Sequence, residues 1–291
     1  MHLVHLLDPG SLDSPTVVVA LDSWVDAGSA STTAADRIAD DATIIATFEG
    51  DLLFDYRARR PTLEIVDGRP AKLTWPELAV RRARVGGRDV LVISGPEPDY
   101  RWRELADDVV ELAKHVGAVE WISLGAIPAA VPHTRPVPVL GTQSRPGLLL
   151  GDVRPGPAGI LRVPSAAISV LDLAVAGSGI PALGYYAQVP HYVSGPYPAA
   201  AVELLRAVGR HLGEDVALGS LAEEALQLRS RLDAAAAIDD DTRNYVERLE
   251  AMVDESRLPT GDELISDIER FLRDRGGTGG TGGAGGSNRP N

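Results

Sequence analysis

Short apolar runs alternate with amphipathic stretches over the first two hundred residues of the chain. Runs such as 16–22 (TVVVALD) and 88–95 (RDVLVISG) are almost continuously apolar, which is typical of strands buried on both faces. Residues 101–116 instead place apolar side chains three and four positions apart, the spacing of one helix face. Because such strands and helices alternate, we predict an α/β fold, a three-layer α/β/α sandwich with a mixed, mostly parallel sheet.

The predicted elements follow from the same spacing and from glycine and proline at their ends. An alternating pattern on both sides of an Asp-Gly pair predicts a hairpin at 62–75, which favours a mixed sheet. The other predicted strands are 3–8, 16–22, 43–50, 88–95, 119–127, 137–144, 159–164 and 182–190, and the predicted helices are 28–39, 101–116, 165–179 and 198–213.

The pattern changes after residue 213, where charged residues become dense and the apolar spacing is helical throughout. We interpret this part as a structural appendage packed on the core, with a docking arm for a partner as the alternative. Two apolar helix faces are predicted, one of Leu221, Leu228 and Leu232 and one of Tyr245, Leu249 and Met252, and a third helix is predicted over 260–273. The predicted units are a core domain over 1–213, a helical appendage over 214–274 and a disordered Gly-rich tail over 275–291.

The composition excludes several classes of function. Cysteine is absent, so disulfides, thiolate catalysis and cysteine-based metal sites are ruled out. The formal net charge of −13 opposes binding to phosphate backbones and anionic lipids, and the one basic cluster, Arg81, Arg82 and Arg84, is interpreted as a solvated strand face. No apolar run approaches the roughly 20 residues that span a bilayer, and the first residues lack the basic region of a signal peptide. We therefore expect a cytoplasmic protein that binds neither nucleic acid nor membrane, and we assign no catalytic residue, metal ligand or cofactor.

The first candidate site is the turn from strand 16–22 into helix 28–39. Backbone N–H groups at a helix N-terminus attract anions, and Gly28 permits a tight turn. The carboxylate of Asp26 opposes a phosphate at this position, and it is also suited to capping the helix. Two interpretations stay open, a small-ligand site that includes Trp24 and a capped turn with Trp24 packed beneath it.

The second candidate is the proline-rich stretch 125–141 (GAIPAAVPHTRPVPVLG), which leaves the carboxyl end of a predicted strand. Ligands of open α/β sheets bind at such ends. His133 has the chemistry of a general acid or base, and Arg135 has that of a two-point anion contact. Four prolines stiffen the same segment, so the favoured interpretation is a rigid elbow that serves shape or contact.

The third candidate is loop 190–200 (PHYVSGPYPAA), which leads into helix 198–213. Tyr192 and Tyr197 lie among prolines, and tyrosines on such ordered loops are common contact residues in protein interfaces. Tyrosines fill the space between a helix and a sheet equally well. Partner binding and internal packing are therefore equal alternatives for this loop.

Three of these stretches together resemble one protein family. The segments 23–31 (SWVDAGSAS), 125–141 and 189–205 (VPHYVSGPYPAAAVELL) are similar to the bacterial branch of the proteasome assembly chaperone-like family. The resemblance implies a fold similar to purine nucleoside phosphorylases, homo-oligomers with a trimer as the expected form, and a partner among proteasome subunits. Archaeal members dock through a C-terminal hydrophobic–Tyr–any-residue tail, whereas this sequence ends in Arg289-Pro290-Asn291, so that docking mode is not expected here.

The leading hypothesis is a non-enzymatic interaction protein that resembles proteasome assembly chaperones and acts on proteasome α-subunits or a related complex. The alternative is a phosphorylase-like enzyme, or a protein that binds a small anion or a nucleoside through its strand-end loops. The candidate ligand or partner contacts are the same for both, namely Trp24, Asp26, Gly28, His133, Arg135, Tyr192 and Tyr197.

Overall fold

The computed structural model describes residues 2–151, 153–156 and 159–257. The strands are β1 (Val4–Leu6), β2 (Thr16–Asp22), β3 (Thr43–Phe48), β4 (Thr62–Val66), β5 (Arg69–Thr74), β6 (Ala79–Val85), β7 (Arg88–Pro96), β8 (Glu120–Ala129), β9 (Val139–Gln143), β10 (Arg154–Pro155) and β11 (Ala182–Pro190). The helices are α1 (Ala30–Ile38), α2 (Gly50–Leu53), α3 (Trp102–His115), α4 (Ala167–Gly177), α5 (Pro198–Leu212), α6 (Leu221–Ile238) and α7 (Asp240–Arg257).

Nine strands form one mixed sheet in the order β1-β3-β6-β7-β2-β8-β11-β9-β10. The central strands β7, β2, β8 and β11 run parallel, and antiparallel pairs join β6 to β7 on one side and β9 to β11 on the other. Within this sheet, β1, β3, β6 and β7 lie on one side of β2, whereas β8 and the strands that follow it in the sequence lie on the other side. The strand order therefore reverses at β2, and the carboxyl ends beside it form the edge where open α/β sheets bind ligands.

Helices cover the sheet on both faces, which confirms the predicted three-layer α/β/α sandwich. The side chains of β2 alternate between the layers. Val18 and Ala20 pack in the cluster that contains α1 and α5, whereas Val17 and Leu21 pack in the cluster that contains α3 and α4. Burial on both faces explains why this strand is apolar at nearly every position.

The hairpin of β4 and β5 was predicted at the right place but assigned to the wrong sheet. It forms a two-stranded sheet of its own, and every residue of both strands is exposed. The mixed character of the main sheet comes from its outer strands instead. A local alternating pattern predicts strands, but it does not show which strands they pair with.

The segment 159–164, which was predicted to be a strand, has no regular secondary structure. Its apolar side chains are exposed, Ile160 at 82% and Val163 at 60%. Within the part of the chain that the structure describes, no strand pairs with it. Ile160 and Val163 favour extended backbone, but the segment has no neighbouring strand to hydrogen-bond with among the described residues.

The arginines of the basic cluster lie on strand β6, as predicted, but only Arg84 is exposed and Arg81 and Arg82 are half-buried, so the strand face is less solvated than expected. Arg82 donates hydrogen bonds to the carbonyl of Pro9 at 2.9 Å and of Ser11 at 2.7 Å. It also pairs with the buried carboxylate of Asp89 at 3.3 Å. Hydrogen bonding by the Asp13 backbone lowers the pKa of Asp89, and the nearby arginines add to that effect.

Helices α6 and α7 make up most of the described chain after residue 213. Leu228 and Leu232 pack against the core cluster together with Leu221, as their spacing predicted. On α7 Leu249 is buried, but Met252 is 53% exposed, so the predicted apolar face of α7 is narrower than the pattern indicated. The predicted third helix and the predicted Gly-rich tail lie outside the described residues, and the division at residue 213 stays a prediction. Among the helices that are described, none is long and apolar enough to cross a membrane.

The carboxyl group of Asp172 on α4 is enclosed against the sheet. It accepts hydrogen bonds from the indole Nε1 of Trp121 at 2.7 Å and from the hydroxyl of Ser123. Burial raises the pKa of Asp172 to about 6, and the two hydrogen bonds only partly oppose this rise. The folded protein therefore keeps a proton on this carboxyl at pH values where the unfolded chain has already lost it.

Replacing Asp172 with asparagine is expected to remove a pH dependence of stability. In the unmodified chain this residue should lower the free energy of unfolding by about 2 kcal/mol between pH 4 and pH 6, because the unfolded carboxyl ionises first. Asparagine accepts the same two hydrogen bonds and does not ionise. Urea unfolding at both pH values measures the change. Asp107→Asn, at an exposed carboxyl on α3, should keep the original dependence, and an unchanged slope in Asp172→Asn would refute the assignment.

Candidate functional site

The turn between β2 and α1 is closed by the buried carboxylate of Asp26. Its oxygens accept hydrogen bonds from the backbone N–H of Ser31 at 2.7 Å and from the hydroxyls of Ser31 and Thr32 at 2.6 and 2.5 Å. Because α1 begins at Ala30, these donors lie in its first turn, where backbone N–H groups have no partner within the helix. Asp26 therefore caps α1, as the capped-turn interpretation predicted.

The N-terminus of α4, at the same edge of the sheet, is also bound by a carboxylate of the chain. Glu97 directly follows β7, and its Oε1 accepts the backbone N–H of Ala167, the first residue of α4, at 2.6 Å. Burial raises the pKa of Glu97, although the bond from Ala167 opposes the rise. Carboxylates of the chain itself thus lie at two helix N-termini that could otherwise bind a phosphate.

Gly28 brings the β2–α1 turn against the loop that leads into α5. Its φ of 64° lies in the left-handed region, and its carbonyl accepts the N–H of Tyr197 at 2.9 Å. A Cβ on Gly28 would lie 2.7 Å from the Cβ of buried Tyr197, so only glycine permits this approach. Trp24 is 49% exposed, which contradicts the interpretation that it packs beneath the turn.

His133, in the loop after β8, fastens α6 to the core. The residue is only 4% exposed. Its backbone N–H donates to the Tyr192 hydroxyl at 2.8 Å, and that hydroxyl lies 2.7 Å from the ring Nδ1. Because the Asp233 carboxylate can only accept, the neutral ring carries its proton on Nε2, and the Tyr192 hydroxyl donates its hydrogen to Nδ1. Nε2 then donates to Asp233 of α6 at 3.1 Å.

Thr134 and Arg135 extend this contact to α7. The Nε and Nη2 atoms of Arg135 donate to the two carboxylate oxygens of Asp254 at 3.1 and 2.8 Å, and Nη1 donates to Glu250 at 3.0 Å. The Thr134 hydroxyl also donates to Glu250. The hydrogen bonds to Asp254 raise the pKa of Arg135. We call these six residues the latch: His133, Thr134, Arg135, Asp233, Glu250 and Asp254.

Aromatic rings close the latch on the side of loop 190–200. The ring of Tyr192 meets that of Tyr245 on α7 edge-on, with centroids 6.0 Å apart. His191 Nδ1 donates to the Ala129 carbonyl at 3.0 Å, so its Nε2 accepts from the Tyr245 hydroxyl, also at 3.0 Å. Burial raises the pKa of Tyr192, which therefore stays a hydroxyl. The loop thus holds the core against α7 by both packing and hydrogen bonds.

The charge of His133 follows from its position. Burial lowers the pKa of its imidazole, and the bond to Asp233 opposes this only in part. The folded protein therefore holds a neutral ring. As pH falls below the ordinary histidine pKa of about 6.5, the unfolded chain takes up this proton first, so the contribution of His133 to stability declines.

A cleft of about 450 Å³ opens between residues 133–137, α5 and α6, and we call it the α5–α6 cleft. Of the candidate residues, His133, Arg135 and Tyr197 line it, and Gly28 lies behind Tyr197. Other residues that line the cleft are Val137, Val202, Glu203, Arg206, Leu226 and Arg229. The fold thus joins the second and third candidate stretches into one region and links the first to it through Gly28.

Sequence reasoning missed the acidic half of the latch. Asp233, Glu250 and Asp254 belong to helices in which charge is dense on every side. Glu250 and Asp254 are four positions apart and so share a helix face, a spacing that could have marked them as a pair. The arginine that faces them lies more than a hundred residues earlier in the chain, and local spacing does not connect residues over that distance.

Comparison with known proteins gives a consistent result. The model of the PAC2 family matches residues 20–236. A Corynebacterium glutamicum protein of unknown function is 30% identical, with a TM-score of 0.82, over 87% of this chain and 97% of its own. A proteasome-assembly chaperone homologue from Mycobacterium tuberculosis is 32% identical, with a TM-score of 0.72, over 79% of this chain and 99% of its own. No curated protein matches the chain.

The fold also extends to a distant archaeal structure. A proteasome activator from Pyrococcus furiosus aligns with a TM-score of 0.63 over 80% of this chain and 97% of its own, at 15% identity. All three segments that carried the resemblance, 23–31, 125–141 and 189–205, fall within the match to the family model. The chain therefore belongs to the PAC2 family.

Proposed function

We propose that this protein assists the assembly of a proteasome-type complex by binding α-subunits or a related subunit, and that it catalyses no reaction. Family membership and the similarity to a proteasome-assembly chaperone homologue support the chaperone-like role. One observation carries the proposal beyond them. The chain's own carboxylates, Asp26 and Glu97, occupy the strand-end positions where a small ligand would bind. In the loop after β8, His133 and Arg135 bind helices α6 and α7 and not a ligand.

The contacts at the strand ends weigh against the phosphorylase-like alternative. A phosphate at the start of α1 would meet the carboxylate of Asp26, and one at the start of α4 would meet Glu97. Both ring nitrogens of His133 are engaged, and all three nitrogens of the Arg135 guanidinium contact carboxylates. Acid–base or anion-binding use of either residue would require the latch to open.

The hairpin of α6 and α7 is the proposed docking arm. Three large apolar side chains on it are exposed, Leu226 at 68%, Ile238 at 88% and Met252 at 53%. Exposed apolar groups on an element that the latch holds in a fixed position are suited to binding another protein. The latch supports this use because it orients the hairpin before a partner arrives.

We also propose that the protein associates with itself, with a trimer as the expected form. Support comes from the exposed segment 159–164 and from Leu173 on α4, which is 77% exposed. The segment has a strand-like sequence and, within the described residues, no neighbouring strand. An apolar segment of this kind is a surface that a second copy can cover.

Native mass spectrometry of the full-length chain, alone and mixed with unassembled proteasome α-subunits, tests the proposal. We expect a homo-oligomer alone and mixed species of fixed ratio at micromolar concentrations. Met252→Gln on the docking arm should reduce the mixed species, whereas the control Leu63→Gln, on the exposed β4–β5 hairpin, should not. An intact homo-oligomer that forms no mixed species contradicts the chaperone role, and a small mass lost on denaturation would support the ligand-binding alternative.

A further inference from the structure

A small pocket lies between α4 and the end of β9, away from the latch and the α5–α6 cleft. Its volume is about 120 Å³, and Thr142, Ser144, Asp172, Leu173 and Ala176 are among the residues that line it. We call it the Asp172 pocket. Pockets that hold a drug-sized ligand begin at roughly 300 Å³, so this one suits the end of a short chain and not a nucleoside.

Asp172 brings an acceptor without a partner into this pocket. Its Oδ1 accepts the hydrogen bonds from Trp121 and Ser123, whereas its Oδ2 makes none with a described residue. Solvent reaches Oδ2. No cationic group of the described chain contributes to the pKa of this carboxyl, which at about 6 leaves it ionised at neutral pH. The pocket therefore presents a carboxylate whose charge is not balanced by the described part of the chain.

Two hydroxyl groups lie in the same pocket. Thr142 is on β9, and strand pairing continues beyond it to Ser144, whose N–H donates to the carbonyl of Ala182 at 2.8 Å. Because Thr142 and Ser144 are two positions apart, their side chains point to the same face of the sheet. Together with Oδ2 of Asp172, their oxygens offer three acceptors, and a primary ammonium group has three N–H donors.

The helix side of the pocket is apolar. Leu173, which is 77% exposed, and Ala176 lie on α4 and are suited to contact a short carbon chain. A divalent metal ion fits less well, because such an ion prefers several charged oxygen ligands. Among the described residues no group of three or more histidine, aspartate or glutamate side chains could hold one.

We propose that the Asp172 pocket binds a primary ammonium group carried by a short alkyl chain. The carboxylate pairs with the ammonium group, the hydroxyls of Thr142 and Ser144 accept its other hydrogens, and α4 covers the carbon chain. Free alkylamines and lysine side chains of other proteins both present this group. The inference goes beyond the chaperone role and does not depend on it, so a failure of the α-subunit experiment leaves it standing.

Thermal unfolding of the full-length protein at pH 7.5, titrated with propylammonium chloride at constant ionic strength, tests the proposal. We expect a saturable rise in Tm, because a ligand that binds only the folded state stabilises it. The apparent Kd should be about 0.1–10 mM, since so small an ion makes few contacts. Tetramethylammonium chloride has the same charge but no N–H donor and should give no saturable rise. Equal effects of the two salts, or no saturation with propylammonium, would overturn the proposal.

Two variants locate the binding site. Asp172→Asn removes the charge at constant shape and should raise the Kd for propylammonium at least about tenfold. The control Asp107→Asn, at an exposed carboxyl on α3, should leave the Kd within about twofold. Thr142→Val removes one acceptor and should raise the Kd about three- to tenfold, the value of one hydrogen bond.

The control for Thr142→Val is Thr33→Val, the same change on α1, which packs on the other face of the sheet. It should leave the Kd within about twofold. Because Thr142→Val nearly conserves the side-chain volume, it keeps the proposal testable if Asp172→Asn fails to fold. An unchanged Kd in the variants of the pocket would place the ion elsewhere and refute the assignment.

A second ligand distinguishes the two sources of the ammonium group. Nα-acetyl-lysine amide presents a lysine side chain on a piece of peptide backbone. A saturable rise in Tm with this compound, lost in Asp172→Asn, would support a lysine of another protein as the occupant. A rise with propylammonium alone would support a free amine, and no rise with either compound would overturn the proposal.

Discussion

Replacing His133 with alanine is expected to lower the free energy of unfolding by about 3 kcal/mol and to release the α6–α7 hairpin. The substitution deletes a buried ring and leaves the Tyr192 hydroxyl and the Asp233 carboxylate without their bonds to it. A lost buried ring and a stranded polar group each cost about 1–3 kcal/mol. The ring also lies next to Thr134 and Arg135, so its loss weakens the contact with α7.

Urea unfolding measures the change in stability, and limited proteolysis measures the release of the hairpin through cleavage between α6 and α7. The matched control is His115→Ala. That histidine is exposed at the end of α3, away from α6 and α7 in the sequence and outside the latch, so its loss should cost less than about 1 kcal/mol. If both variants were equally mild and the hairpin stayed resistant, the latch would not be what holds it.

Replacing Gly28 with alanine is expected to lower the free energy of unfolding by about 3 kcal/mol. A Cβ at a φ of 64° costs about 1–2 kcal/mol in backbone strain. The same Cβ would lie 2.7 Å from the Cβ of Tyr197, so the loop before α5 has to shift, which costs about 1–3 kcal/mol. Because Tyr197 also lines the α5–α6 cleft, the shift should reach the cleft as well.

Thermal or urea unfolding tests this prediction, with Gly177→Ala as the matched control. Gly177 ends α4, and apart from its chain neighbours and the backbone of its own helix, no heavy atom of the described chain lies within 4 Å of a Cβ built there. Alanine at this position should be neutral or stabilising by up to about 1 kcal/mol. A Gly28→Ala protein as stable as Gly177→Ala would mean that the approach of Tyr197 imposes no constraint.

Together the two predictions concern the role of the residues that first suggested a ligand site. Gly28 and His133 have the residue types and the strand-end positions of ligand contacts. The structure shows instead that each makes a close contact within the chain, Gly28 with Tyr197 and His133 with Tyr192 and Asp233. Large losses in the free energy of unfolding in both variants would show that these two residues stabilise the fold, independently of whether they also contact a partner.

Most of the fold could be predicted because the elements that build it are locally encoded. Strand β2 was placed at its observed bounds since both of its faces are buried, and a strand buried on both faces is apolar throughout. Helix α3 was placed to within one residue at each end by its apolar spacing. The cap by Asp26 was also predicted, because its donors lie only five and six residues away.

The errors share a physical cause. The hairpin of β4 and β5 and the segment 159–164 both carry residues that favour extended backbone, yet the first pairs only with itself and the second has no partner strand among the described residues. Conformational preference is a property of a few neighbouring residues. Strand pairing depends on where distant segments lie, so the preference alone assigned both segments to a sheet that they do not join.

Residue pattern and composition were sufficient for the layered α/β/α fold, for the two helices described between residues 221 and 257, and, through three short segments, for the family. These features can be predicted because a buried face of a helix or strand repeats apolar residues at a fixed spacing, and a short stretch of sequence is enough to show that spacing. The latch and the α5–α6 cleft required the folded chain. His133 and Arg135 meet their acidic partners across 100 to 119 residues, and only packing of the helices on the core brings such distant charges within hydrogen-bonding distance.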